Sequence, residues 1–337
     1  MKVSRRKFVV TLAVLCCCWG ALESLSGQDD SQLNQAKTLL EKRMFSDAAA
    51  VTRQYLESHP NSADGHNLLG LILFREVPES SLRGRLRGPH YREAMGIDPK
   101  FVETNARASL VEYRKAVDFR PSSPSDLKIV ALDFVLLGNY VDADKWLSKS
   151  VQRDPKDAQA WCFLSRIKYD INHFDEAITA SKECLQRDSQ NSGALDTMGL
   201  AYAEMSRTDD AIKAYRAAIE LQAKSLEKDP YPFLDLADLF LKQGRAEQAV
   251  PLLAKAVDIS PELANAHQLL GKAYLRMNQL QESARELEKT IELEPDCAPA
   301  HYLLGQVYRK AGQADKATKE FDKSAALYGT RSTPDVP

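Results

Sequence analysis

Histidine and cysteine are the side chains that could serve as metal ligands, nucleophiles or general bases, and neither type is arranged for such chemistry. The six histidines are His59, His66, His90, His173, His267 and His301. None belongs to an HExxH sequence, and no cysteine pair has the CxxC spacing of a zinc site. GxSxG, GxxxxGK[ST] and GxGxxG motifs are also missing. The sequence therefore predicts a protein that is not an enzyme and that holds no cofactor or metal ion.

The cysteines divide between an apolar N-terminal stretch and the rest of the chain. They are Cys16, Cys17 and Cys18, then Cys162, Cys184 and Cys297. Because the second group has an odd number, it gives no complete disulfide framework. We interpret its members as small hydrophobic residues that are buried or line a groove.

Residues 1–27 have the composition of an export signal. A basic start, which includes Arg5 and Arg6, precedes an apolar run over 8–22 and small residues near 24–27. The run is shorter than the roughly 20 residues of a bilayer span. The signal predicts a periplasmic or secreted protein. An uncleaved membrane anchor, a lipoprotein acylated at an N-terminal cysteine, and export by the Sec or the twin-arginine route all stay open.

The charge of the chain excludes one class of partner. The full chain has 45 basic and 47 acidic residues, and removing residues 1–27 (four basic, one acidic) leaves 41 and 46, a net charge of −5. A mildly acidic chain lacks the electrostatic footprint of a general nucleic-acid binder. The basic, glycine-rich stretch 83–92 is expected to be a solvated loop or a contact for an acidic partner.

A regular sequence period organises the chain after residue 28. Gly271 and Gly305 differ in position by 34, and so do Tyr274 and Tyr308. Apolar residues recur at helical spacing on both sides of a turn residue, which predicts pairs of antiparallel helices. The predicted turn residues are Gly138, Asn172, Ser206, Gly244, Asn278 and Gly312.

The order and spacing of these residues resemble the tetratricopeptide repeat. The last complete block carries Leu304, Gly305, Tyr308, Ala317 and Phe321 at the family's positions. The resemblance implies an all-α protein, a right-handed superhelical solenoid of about eight helix-turn-helix repeats with no sheet. The repeats are expected near 29–62, 63–123, 124–157, 158–191, 192–229, 230–263, 264–297 and 298–331, followed by a flexible tail over 332–337.

Some repeats depart from the family pattern. The second carries 27 extra residues, placed at about 77–102, and its second helix is predicted over 103–119. The fifth carries four extra residues within 223–229. Lys168 stands where the family usually has Tyr, and Ser283 where it has Ala.

The resemblance also assigns packing roles. Residues expected to pack between the helices of a repeat are Gly70, Ala143, Ala177, Gly199, Ala211, Ala249, Gly271, Tyr274, Gly305, Tyr308 and Ala317. His66, His267 and His301 occupy the first-helix position where the family often has Trp, so they are expected to pack there too. Cys162 and Cys184 are expected on different faces of the two helices of one repeat.

In this family the first helices line a preformed concave groove. Spacing assigns to this groove Lys128, Arg166, Tyr169, Gln268, Lys272, Arg276, Tyr302, Gln306, Arg309 and Lys310. With Leu132, Val135 and Leu136, the groove would be apolar in its middle and basic toward its C-terminal end. Such a groove suits a peptide with apolar anchors and an acidic portion. A solvated wall is the alternative for each residue.

We therefore predict a non-catalytic exported scaffold, monomeric, that binds a protein or peptide partner and acts in envelope assembly. Contact with a membrane would require that the N-terminal segment is retained or lipidated. One alternative is a carbohydrate or cell-wall binding module that stacks sugars on Tyr169, Tyr231 and Tyr302. Another is the regulatory subunit of an enzyme encoded elsewhere.

Overall fold

The structure is a computed structural model that describes residues 31–82, 98–224 and 228–331. Within these ranges the chain is helical and contains no strand, which confirms the all-α prediction. The expected export signal with Cys16, Cys17 and Cys18, the basic stretch 83–92, and the tail 332–337 lie outside the described residues.

Sixteen helices account for most of the described residues. In chain order they are α1 (Ser31–Glu41), α2 (Phe45–Ser58), α3 (Ala63–Glu76), α4 (Pro99–Val117), α5 (Pro124–Leu136), α6 (Tyr140–Arg153), α7 (Ala158–Asp170), α8 (Phe174–Arg187), α9 (Ser192–Glu204), α10 (Thr208–Lys224), α11 (Tyr231–Lys242), α12 (Ala246–Ile259), α13 (Ala264–Arg276), α14 (Leu280–Leu293), α15 (Ala298–Lys310) and α16 (Ala314–Arg331). The odd-numbered helix is the first helix of a repeat and the even-numbered helix is the second.

The corner between the two helices of a repeat requires a residue in the left-handed region. All six predicted turn residues have φ between 58° and 76°, which confirms their role. Glycine and asparagine reach this region at low cost. Arg43, with φ of 59°, forms the corner between α1 and α2. This corner was not predicted from the sequence, because arginine is not a residue type that is typical of turns.

The second helix of the long repeat begins at Pro99, four residues before the predicted start. The Asp98 side chain accepts a hydrogen bond of 2.9 Å from the Lys100 amide, and Pro99 occupies the first turn. A capping aspartate followed by proline is a start signal for a helix. The prediction relied on the apolar pattern and therefore placed the start too late.

The chain divides into two compact units, Met1–Thr197 and Met198–Pro337. In the first unit, buried side chains form separate clusters, for example around Ile72, Val135 and Val102. In the second, one cluster joins Leu287 and Leu304. Small clusters between neighbouring helix pairs are typical of repeat proteins, in which each pair buries its apolar face against the next.

Candidate functional site

A glycine of the first helix leaves room for a large side chain of the second helix in several repeats. A Cβ atom added to Gly305 would lie 2.7 Å from Cδ1 of the Phe321 ring on α16. Other first-helix glycines face large side chains in the same way: Gly70 against Tyr113, Gly199 against Tyr215, and Gly271 against Leu287. The alanines expected to pack between the helices are at most 4% exposed: Ala143, Ala177, Ala211, Ala249 and Ala317.

The tyrosine position of the first helix reaches back to the preceding repeat. The Tyr308 hydroxyl donates a hydrogen bond of 2.8 Å to Glu288 on α14, while Tyr274 is half-buried. Burial, with the neighbouring Glu288 carboxylate, raises the pKa of Tyr308 to about 12. This contact ties α15 to α14.

Lys168 makes a comparable tie with a charge. Its Nζ lies 2.9 Å from Asp144 of α6 and 2.5 Å from Glu176 of α8. Burial opposes the charge, but hydrogen bonds and attraction from Glu176 and Asp144 raise the pKa of Lys168. A lysine therefore replaces the family's tyrosine without losing the link to the preceding repeat.

Three buried histidines share one pattern of contacts. His267 Nδ1 lies 2.7 Å from Glu286 Oε2, and Nε2 lies 3.0 Å from the Pro261 carbonyl oxygen. The corresponding distances are 2.6 and 2.9 Å for His66, and 2.6 and 3.0 Å for His301. The partners of His66 are the Glu112 carboxylate and the Pro60 carbonyl oxygen. The partners of His301 are the Glu320 carboxylate and the Pro295 carbonyl oxygen.

These glutamates were not predicted from the sequence, although their distance along the chain from each histidine could have indicated them. Glu286 and Glu320 each follow their histidine by 19 residues, whereas Glu112 follows His66 by 46. The difference, 46 − 19 = 27, equals the extra length of the second repeat. The fourth repeat has Trp161 at the position of these histidines. Its indole N–H donates a hydrogen bond of 3.0 Å to the Pro155 carbonyl oxygen.

Cys162 and Cys184 form a disulfide, so the prediction that they lie on different faces is wrong. Their Cα atoms are 5.1 Å apart. Cys162 lies near the start of α7 and Cys184 near the end of α8, and the hairpin brings these two ends together. The remaining odd cysteine, Cys297, is a buried thiol 3.2 Å from Gln268 Oε1.

Two of the predicted groove cations in Met1–Thr197 are held by carboxylates. Lys128 is buried, and its Nζ lies 2.6 Å from Asp157, the residue that caps α7. Arg166 Nε lies 3.3 Å from Asp170, and its guanidinium lies 5.2 Å from the centre of the Tyr169 ring. Burial, opposed by Arg166, raises the pKa of Asp170 to about 6. Their charge is compensated from within the chain.

The predicted apolar middle of the groove is also wrong. Leu132 is 4% exposed, Val135 0% and Leu136 1%. Val135 packs into a cluster with residues of α6 and α7, and Leu136 into a cluster with Val102 and Ala106 of α4. They offer little free surface to a partner.

The predicted groove residues of Met198–Pro337 are more accessible. Lys272 and Gln306 are half-buried, and Arg276, Arg309 and Lys310 are exposed. The Arg276 guanidinium donates to the Leu241 carbonyl oxygen. Lys272 and Lys310 have no carboxylate partner among the residues that the structure describes.

An aromatic pair extends this surface on the last repeat. Tyr302 is 49% exposed and its ring centre lies 5.6 Å from that of Phe321. The Arg309 guanidinium also lies 5.6 Å from the Phe321 ring. We call Lys272, Tyr302, Gln306, Arg309 and Lys310 the C-terminal patch. These residues come from α13 and α15, which contact each other.

Within the described ranges, no group of three or more histidine, cysteine, aspartate or glutamate side chains could hold a metal ion. None of the described helices is long and apolar enough to cross a membrane.

Comparisons with known proteins agree with the repeat. A family model described as Tetratricopeptide repeat matches residues 33–77, 197–264 and 269–335. Two further models with that description match 240–292 and 158–191. In the solved APC/C hetero-tetramer Cut9-Hcn1, a similar chain has a TM-score of 0.56 at 18% identity, covering 91% of this chain and 55% of that chain. This likeness concerns the fold alone.

Similar sequences belong to longer proteins. The DnaJ homolog subfamily C member 7 homolog of Schizosaccharomyces pombe is 24% identical over 236 residues, which cover 67% of this chain and 45% of that protein. The peroxisomal targeting signal receptor of Komagataella phaffii is 28% identical over 119 residues, 34% of this chain and 20% of that protein. The chain thus spans less than half the length of these relatives.

Proposed function

The chain belongs to the tetratricopeptide repeat family, whose members act as protein-binding scaffolds, and we propose that it is an exported, non-catalytic scaffold in envelope assembly. Its partner is a protein or peptide that binds the first-helix surface of Met198–Pro337 through an acidic segment. The observation that carries this proposal is the C-terminal patch, in which Lys272 and Lys310 lack a carboxylate partner among the described residues.

Charge is the property that recognises the partner. The two predicted groove cations of the other unit are already neutralised, Lys128 by Asp157 and Arg166 by Asp170. An acidic peptide gains most where cations still lack a counter-charge, because it removes no existing ion pair. Exposed Tyr302 adds an apolar surface beside these cations.

The disulfide supports export. Disulfides persist in oxidising compartments and are rare in the cytosol. The bond between Cys162 and Cys184 therefore fits the export signal expected over residues 1–27. The disulfide and the expected signal together support a periplasmic or secreted location, with an N-terminal membrane anchor as the alternative.

The carbohydrate alternative gains less support. Stacking of sugars requires a row of exposed aromatic rings, but Tyr169 packs against Phe174 at 5.8 Å and Tyr231 is half-buried. Of the three tyrosines considered for this role, Tyr302 alone is exposed.

Charge reversal at the patch tests the proposal. The probe is a fluorescent peptide of mixed glutamate and leucine, with a lysine and leucine peptide as reference. Lys272→Glu/Lys310→Glu should weaken binding of the acidic peptide about tenfold or more at low salt, and the difference should shrink as salt screens the charges. Arg276 is left intact because it donates to the Leu241 carbonyl oxygen.

The control has the same change in net charge elsewhere in the unit. Lys213→Glu/Lys319→Glu alters exposed residues of the second helices α10 and α16. Equal affinity of the two double variants for the acidic peptide, or no preference of the native protein for it, would refute an acidic partner at this surface.

A further inference from the structure

Each of the three buried histidines lies between two oxygen atoms that act as acceptors. On one side is a main-chain carbonyl, and on the other a glutamate carboxylate. A neutral imidazole has one N–H, so it can donate to one of these acceptors and must turn a lone pair toward the other. An imidazolium has two N–H groups and satisfies both.

We propose that His267 is a charged tie that makes the packing of α13 on α14 sensitive to pH. The tie joins the first helix to the second helix through Glu286, and to the end of the preceding repeat through the Pro261 carbonyl. It holds α13 on α14 while the His267 ring carries both protons. It weakens as the solution becomes alkaline and the ring loses one of them.

Cations beside the glutamates set the balance of charge. Lys115 Nζ lies 2.7 Å from Glu112 Oε1, and Lys323 Nζ lies 3.4 Å from Glu320 Oε1. Arg285 Nε lies 3.4 Å from Glu286 Oε1, and Lys289 stands three residues after Glu286, although its amino group pairs with Glu292. Arg285 favours an ionised Glu286, and Lys289 opposes a positive charge on His267.

The pair of His267 and Glu286 shows in which direction the two pKa values are shifted. The hydrogen bond and charge of Glu286 raise the pKa of His267 against burial and Lys289, and the hydrogen bond and charge of His267 lower the pKa of Glu286. The histidine contribution to stability is therefore complete below its ordinary value of 6.5 and is lost as pH rises through its raised pKa. The glutamate contribution is complete above its ordinary value of 4.5 and is lost as pH falls through its lowered pKa.

This direction separates a charged tie from ordinary packing. A histidine buried in its neutral form must give up its proton on folding, so its folded state would become less stable as the pH falls below about 6.5. A charged tie gives the opposite slope over the neutral range. The sign of the slope is therefore a direct test.

The chain contains a natural template for removing the titrating groups. In the fourth repeat, Trp161 donates to the Pro155 carbonyl oxygen, and the buried Ala180 stands at the glutamate position. Replacing a histidine by tryptophan and its glutamate by alanine therefore copies a pair that the fold already uses. The paired variant carries His267→Trp and Glu286→Ala, and it leaves His66 and His301 as they are.

The experiment measures the thermal unfolding midpoint of the native protein and of this variant between pH 5.5 and 9 (chosen to bracket about 6.5). The native midpoint should fall relative to the variant as the pH rises, by roughly 2–4 °C. A native midpoint that is unchanged or rises relative to the variant would overturn the proposal.

A second measurement covers the case in which the paired variant does not fold. Nitrogen-15 spectra of the native protein at several pH values, assigned with the His267→Gln variant, report whether each ring nitrogen of His267 carries a proton. Both nitrogens should stay protonated at the pH at which an ordinary histidine is half-titrated, about 6.5. A singly protonated ring at that pH would refute the charged tie.

Discussion

The fourth residue of the first helix shows how one contact is made by different side chains. Trp161 reaches the Pro155 carbonyl oxygen with its indole N–H, whereas His267 reaches the Pro261 carbonyl oxygen with a ring nitrogen and adds a carboxylate partner. The sequence could predict that both positions pack between helices, because the period fixes their register. It could not predict Glu286, because that partner depends on which faces of the two helices meet.

Gly305 leaves room for the Phe321 ring at the contact between α15 and α16. A side chain at residue 305 should push the two helices apart. Gly305→Ala places a Cβ atom 2.7 Å from the Phe321 ring, which cannot move far because it also packs against Tyr302. We expect a loss of about 1–3 kcal/mol in the free energy of unfolding, measured by urea titration.

Gly329 provides the matched control for that substitution. It lies in the same helix pair, and a Cβ atom there meets nothing within 4 Å. Gly329→Ala should leave stability unchanged or raise it by up to about 1 kcal/mol, because alanine favours the helix. Similar losses in both variants would show that close packing at Gly305 is not the cause.

At the scale of helices, pairing was predictable and cross-linking was not. Turn residues such as Asn172 and Gly244 predicted where one helix ends and the next begins. Their positive φ angles confirm that they form these corners. The disulfide was not predicted, because the number of cysteines does not show which helix ends lie close together. Cys162 and Cys184 are 22 residues apart in sequence, yet the hairpin sets their Cα atoms 5.1 Å apart.

Removing the disulfide should loosen the fourth repeat. Closing a loop of this length restricts the unfolded chain, so Cys162→Ala/Cys184→Ala should lower the free energy of unfolding by about 3 kcal/mol. A reductant should destabilise the native protein and the Cys297→Ala variant alike, but leave the double variant unchanged. A native protein indifferent to reductant would mean that the bond does not form in solution.

At the scale of the whole molecule, the period predicted the all-α fold, whereas it predicted the exposure of the groove residues only in part. Lys128 and Val135 matched the groove spacing but are buried, because local spacing does not show which neighbours cover a residue. Lys272 and Tyr302 remain accessible on the last repeats. The identity of a partner depends on another molecule, so the sequence of this chain could not predict it.

Export is the property of the whole chain that can be checked most directly. If residues 1–27 are a signal, the mature protein should begin near Gly27 or Gln28, after the small residues Ser24 and Ser26. N-terminal sequencing of protein from the native host decides this. A chain that begins at Met1 would indicate an anchor, and one that begins at a lipidated cysteine would indicate a lipoprotein.

The long repeat pairs its helices despite the insertion between them. His66 still meets Glu112 at 2.6 Å, and Gly70 still faces Tyr113. The entropic cost of closing a loop grows only slowly with its length, so these contacts between α3 and α4 decide the pairing. The junction between α3 and α4 is therefore a natural place to split the protein. Two separately produced fragments, cut between Glu76 and Pro99, should recognise each other and reassemble, and a reporter domain grafted there should leave both neighbours folded.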